Sequence, residues 1–151
     1  NSLTLQKPVH DSTESGKATK QKELSANLDV TSTPLITDHE IIFGSADRGI
    51  IALDKATLFI KWKAETLPSL VYTVPYSTTP HANVETSPVV SNQIVYIGAS
   101  DGYLYAIDQA TGMIKEKYNF GAPIFSTVAV SGNCLVACDY AGNVYCFSST
   151  N

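Results

Sequence analysis

Charge is scarce in this chain. Asp, Glu, Lys and Arg make up 16% of its 151 residues, and the net charge is -4. No basic field exists to hold a nucleic-acid backbone or an anionic lipid surface, so neither partner is expected. Long hydrophobic runs are missing as well, which excludes a transmembrane helix. The polar N-terminal segment lacks the apolar stretch of a secretion signal. The chain starts at Asn1 rather than Met, which reads as a processing boundary with any signal upstream. Cysteine is limited to Cys134, Cys138 and Cys146, an odd count with no vicinal pair, so no disulfide framework is expected. Cys134 and Cys138 would lie on one strand face roughly 13 Å apart, too far to bridge. All three read as small buried hydrophobes.

Motifs of catalysis are also absent. There is no Gly-x-Ser-x-Gly, P-loop or His-Glu-x-x-His. The histidines, His10, His39 and His81, are scattered without ligand spacing, so no metal site is expected. A nucleophilic Cys138 or Cys146 would have no His near it in sequence to act as base. No catalytic residue is assigned, and the chain is read as not being an enzyme. Finally, no apolar i, i+3, i+4, i+7 pattern persists for three turns, which excludes an amphipathic helix.

What is present is a repeat. GSADRGIIALDKATLFIKW, from Gly44, and GASDGYLYAIDQATGMIKE, from Gly98, align at an offset of 54. A third copy follows 40 residues later, where SPVVSNQIVYIGASDGYLYAID matches TVAVSGNCLVACDYAGNVYCFS. The basic period is thus about 40, which suits paired helices or a four-stranded propeller blade. The runs IIALD, LYAID and VYCF are short and β-branched or aromatic, and hairpin turn signals bound them. Each repeat therefore reads as antiparallel strands. In the second copy these are Pro88–Val90, Gln93–Gly98, Tyr103–Ile107 and Ile114–Phe120. Asp54 and Thr57, like Asp108 and Thr111, fall between the third and outer strands. There an Asx turn needs an acceptor, and Gly112 supplies positive φ at the exit. The Ser32-Thr33, Thr86-Ser87 and Ser126-Thr127 pairs precede each inner strand and read as structural, facing a central channel entrance.

The segment Ala-x-Asp-x-x-Thr-Gly, with a Trp four residues on, resembles the repeat of the pyrroloquinoline-quinone-type, or quinoprotein-like, β-propellers. Asp54 and Thr57 match, with Leu58 in place of the Gly and Trp62 at the docking position. Asp108, Thr111 and Gly112 match fully, with Glu116 in place of the Trp. The resemblance implies an all-β fold of antiparallel four-stranded blades, a partial β-propeller, in which the Trp packs between neighbours. It also implies a setting in the bacterial periplasm or at the outer membrane.

The expected layout has an outer strand of a preceding blade in residues 1–28, blades at 29–67 and 83–122, and an incomplete blade at 123–151. An inserted loop spans 68–82. Closed propellers hold about four to eight blades. About three suggests a piece of a longer propeller or self-association, with the N-terminal strand completing a neighbour's blade as a variant. The insertion and its flanks, TLPSLVYTVPYSTTPHAN, carry Tyr72, Tyr76 and His81 between prolines, on the face of the Asp47, Asp101 and Ala141 turns. Aromatics on a stiffened loop suit a protein or peptide hot spot. The expected function is therefore a non-catalytic binding or scaffold module without cofactor, part of a larger envelope or sensor protein. The alternative is a fragment of a quinone-dependent dehydrogenase. The resemblance implies that such enzymes use an acidic base, calcium and often a vicinal Cys-Cys pair. No such pair occurs here, and Trp62 is the only Trp.

Overall fold

The computed structural model describes residue 30 and residues 32–46, 48–71 and 83–148. The expected leading strand in 1–28, the Asp47 position and Tyr72, Tyr76 and His81 lie outside the described residues. Those described form eleven strands in three antiparallel sheets and no helix. The first sheet holds β1 (Leu35–Ile36), β2 (Glu40–Ser45), β3 (Gly49–Asp54) and β4 (Ile60–Ala64). The second holds β5 (Val89–Ser91), β6 (Ile94–Gly98), β7 (Tyr103–Asp108) and β8 (Ile114–Asn119). The third holds β9 (Ala129–Ser131), β10 (Cys134–Cys138) and β11 (Val144–Ser148). Within each sheet, strands neighbour one another in chain order. This is the up-and-down meander of a propeller blade, and the three sheets are a partial β-propeller.

Alternation along the strands decides how the blades stack. Ile42, Ile50, Ala52 and Trp62 of the first blade form one buried cluster with Val95, Ile97, Tyr105 and Ile107 of the second. The residues of the second blade one step out of phase, Leu104 and Tyr96, pack with Leu135, Ala137, Tyr145 and Phe147 of the third. Each sheet thus has an incoming and an outgoing face, as the two-residue strand period requires. Two glycines set the distance between neighbours. A Cβ on Gly44 would collide with Val84, and one on Gly98 would collide with Ile124. Val84 and Ile124 come from the connections that lead into the next blade, and each is completely buried.

The bulges recur too. Pairing of β3 with β4 shifts between Ala52 and Leu53, and pairing of β7 with β8 shifts between Ala106 and Ile107. The extra residues are Lys61 and Lys115. A bulge re-aims its side chain. Here Lys61 reaches Glu40 and Lys115 reaches Asp108.

The cysteines differ from expectation. None is buried: Cys134 and Cys138 are half-exposed and Cys146 is exposed. They occupy the outgoing face of the third blade, which no other described sheet covers. Cys138 stands where the first two blades carry Gly44 and Gly98.

Candidate binding face

Turns between second and third strands gather at one end of the blades, and the connections between blades join them there. Leu70 N–H donates to Ser100 O at 3.0 Å, and Ser100 N–H donates to Asn83 O at 3.0 Å. Val84 N–H reaches Ser45 O at 3.3 Å. In the next blade Ile124 N–H donates to Ala99 O and Tyr140 N–H to Pro123 O. Both described ends of the long insertion are therefore pinned to the second blade's turn.

Asp101 organises that turn. It is 3% exposed and accepts from Tyr105 O–H at 2.5 Å, Leu67 N–H at 2.9 Å and Tyr103 N–H at 3.0 Å. A buried carboxylate is tolerated only when donors surround it. Burial, and then the hydrogen bond to the Asp101 carboxylate, push the Tyr105 phenol far above its ordinary value. The phenol stays a donor at any physiological pH. Asp101 reads from sequence as an ordinary hairpin residue; the structure makes it the anchor of the insertion. A similar device recurs in the third blade from a different position. Asp139 accepts from Asn143 N–H and Nδ2, both at 2.9 Å, and from Tyr145 O–H at 3.4 Å. The Asn143 side chain first, then backbone amides and Tyr145, hold the Asp139 carboxyl below its usual range despite some desolvation. The recurrence of Tyr105 as Tyr145 was the sequence signal for this node.

Apolar side chains stand open on this face. Leu67, Leu70 and Val71 are 42%, 54% and 36% exposed, and Tyr140 is 75% exposed with its ring edge-on to Phe125 at 5.4 Å. Phe125 and Tyr140 were not singled out by sequence, because neither sits in the insertion.

The repeat motif lies at the opposite end. Asp54 Oδ1 accepts from Thr57 N–H and Oγ1, both at 2.8 Å, and from Ala56 N–H. Asp108 Oδ1 accepts from Thr111 N–H at 3.0 Å and Oγ1 at 2.8 Å. Those threonine hydrogen bonds, above all, hold both carboxyls below their usual range. Gly112 has φ 74°, and its counterpart Leu58 has φ 61°. Trp62 lies across Gly112, where an added Cβ would be 2.6 Å from the ring, and its Nε1 donates to Gln109 O at 2.8 Å. Gln109 also donates through Nε2 to Glu40 at 2.7 Å. Burial alone would raise the Glu40 carboxyl, but hydrogen bonds from Lys61, Gln109 and Thr37 and the Lys61 charge outweigh it. Its pKa is held low.

The paired hydroxyl residues tie the inner strands in series. Thr33 N–H donates to Ser87 Oγ at 2.9 Å, and Ser87 N–H donates to Thr127 Oγ1 at 3.1 Å. In the second blade Thr86 Oγ1 clamps both the N–H and the carbonyl of Gly98. His39 is exposed. Among the described residues no group of three His, Cys, Asp or Glu could hold a metal.

The family whose model describes outer membrane protein assembly factor BamB matches residues 9–151. The chain belongs to the BamB family of PQQ-type β-propellers. The structure of BamB from Moraxella catarrhalis superposes with a TM-score of 0.61 at 20% identity, over 78% of this chain and 34% of that one. The chain spans about a third of that BamB. The quinohemoprotein alcohol dehydrogenase ADHIIG from Pseudomonas putida HK5 gives 0.61 at 18% identity, covering 81% of this chain and 19% of that one. The computationally designed Ika4 protein gives 0.56 at 17% identity, covering 76% and 63%. At such identities these structures establish the fold alone. No curated protein matches the chain. Among the described residues no helix is long and apolar enough to cross a membrane.

Proposed function

We propose that this chain is part of a non-catalytic BamB-like scaffold in the cell envelope that binds a protein partner through the face carrying the insertion. The supporting observation is the rigid pinning of the insertion's ends by Asp101 and Ser100, next to the open apolar side chains of Leu67, Leu70, Val71 and Tyr140. Holding the described ends in place lowers the ordering cost of engaging a partner there. Tyr72, Tyr76, His81 and Tyr140 are the proposed contacts. Like the protein after which the family is named, the whole protein would serve outer-membrane protein assembly at the periplasmic side. It would use no quinone or metal. The remaining blades would come from further chain or from self-association.

The test is photocrosslinking in living cells from residues 72, 76, 81 and 140 of the natural gene product. A single envelope-protein adduct from these positions, absent from the turn at Thr57, supports the reading. Equal labelling from both ends of the blades overturns it. The dehydrogenase reading has its own readout, saturable binding of pyrroloquinoline quinone in the presence of calcium. That result would replace the scaffold with a fragment of an oxidoreductase.

A further inference from the structure

On the outgoing face of the third blade, one pair of nucleophilic side chains is placed together. Cys146 on β11 lies directly opposite Val136, and Cys134 on β10 lies opposite Ser148. The two cysteines are therefore diagonal neighbours on one sheet face. Diagonal positions are about 7–8 Å apart at Cα, on the margin of disulfide reach. In this pair the Sγ atoms stand 2.8 Å apart. The flanking residues one step out of phase, Leu135, Tyr145 and Phe147, point the other way into the seam with the second blade. Among the described residues no sheet covers the cysteine face, where Cys146 is exposed and Cys134 half-exposed. The same positions hold Glu40 and Ala52 in the first blade and Ile94 and Ala106 in the second. The repeat itself does not ask for sulfur there.

We propose that Cys134 and Cys146 are a disulfide-forming pair, closed by exchange with a small-molecule disulfide such as oxidised glutathione. The more exposed thiol, Cys146, loses its proton and attacks one sulfur of that disulfide. A protein–glutathione S–S bond forms, and one glutathione thiolate leaves. The Cys134 thiolate then attacks the Cys146 sulfur, which forms the cross-strand bond and expels the second glutathione. The protein gives up two protons and two electrons, and the glutathione disulfide takes them up. The hydrogen bond with Cys146, and then desolvation, hold the Cys134 thiol pKa above its ordinary value. The bond ties β11, the edge strand of the third blade among the described residues, to β10. Cys138 lies four residues further along β10 and stays a thiol.

The experiment treats the natural gene product that carries this chain with excess oxidised glutathione, alkylates it and maps the peptides around Cys134, Cys138 and Cys146 by mass spectrometry. The expected product is about 2 Da lighter before alkylation, joins Cys134 to Cys146 and leaves Cys138 alkylated. Cys134→Ser should stop at a stable glutathione adduct on Cys146. The oxidised wild type should melt several degrees above a Cys134→Ser/Cys146→Ser variant in the same buffer. Three alkylated cysteines, a linkage through Cys138, or a wild-type adduct on Cys146 that never closes would each overturn the proposal.

Discussion

The two seams between blades are built differently. Between the first and second blades, Trp62 crosses over to Gly112 and Gln109, and Glu40 takes the Gln109 side chain from below. Between the second and third, Glu116 stands where Trp62 would be. Phe120 and Tyr145 meet at 4.1 Å and Tyr118 and Phe147 at 5.1 Å instead. A groove of about 430 Å³ remains, lined in part by Ala106, Glu116, Lys117, Leu135 and Phe147. One indole with a polar tip closes a seam and satisfies its own N–H; four rings supply area but leave a groove. The repeat thus specifies where blades touch, and individual substitutions decide how tightly.

The sharpest way to break the comparison is Trp62→Ala. Removing a buried Trp should cost about 3–5 kcal/mol in urea unfolding, with the first blade detaching before the second. Glu116→Trp, at the equivalent position, should gain about 1 kcal/mol by filling the groove. If both changes proved neutral, the seams would be equivalent.

Next comes the glycine under the indole. Gly112→Ala adds left-handed backbone strain of about 1–2 kcal/mol to a clash with Trp62, so a loss of about 3 kcal/mol is expected. Leu58→Gly should do the reverse. It relieves the same strain in the first blade, and a gain of about 1 kcal/mol in thermal or chemical unfolding checks it.

Asp101→Ala leaves the buried Tyr105 hydroxyl without its partner and frees Leu67 N–H. About 2 kcal/mol should be lost, with faster amide exchange at Leu67 and Leu70. Asp139→Ala should cost less, because Tyr145 is half-exposed and its contact to Asp139 is long at 3.4 Å.

The smallest effect is acid sensitivity. Glu40, Asp54, Asp108 and Asp139 all have carboxyl pKa values held below the ordinary range in the folded chain. Their stabilisation is complete above the ordinary carboxyl range near pH 4, and fades as pH falls through the lowered values. Only Glu40 bridges a seam, so Glu40→Gln should flatten the acid limb of a stability–pH curve more than Asp54→Asn does.

Much of the fold was legible in sequence. The strands of the second copy, read as Gln93–Gly98 and Tyr103–Ile107, fall at Ile94–Gly98 and Tyr103–Asp108. Alternating apolar residues between Gly-bearing turns leave few alternatives, and three copies of the pattern reinforce one another. The anchor of the insertion was not legible. Asp101 and Leu67 are 34 residues apart, and no local pattern pairs a turn carboxylate with a distant amide. The Gln109–Glu40 tie spans 69 residues and has no local signature for the same reason.

The cysteines show where the division falls. By spacing along one strand, Cys134 and Cys138 looked inert, and that distance argument still holds. By register across two strands, Cys134 meets Cys146. Sequence alone determined the period, the strands, the turns and the blade architecture, because these rest on interactions within a few residues or on a pattern repeated three times. Only the tertiary structure decided which side chains face each other across strands and seams. Those meetings depend on register, twist and blade spacing, which the whole assembly of sheets sets together.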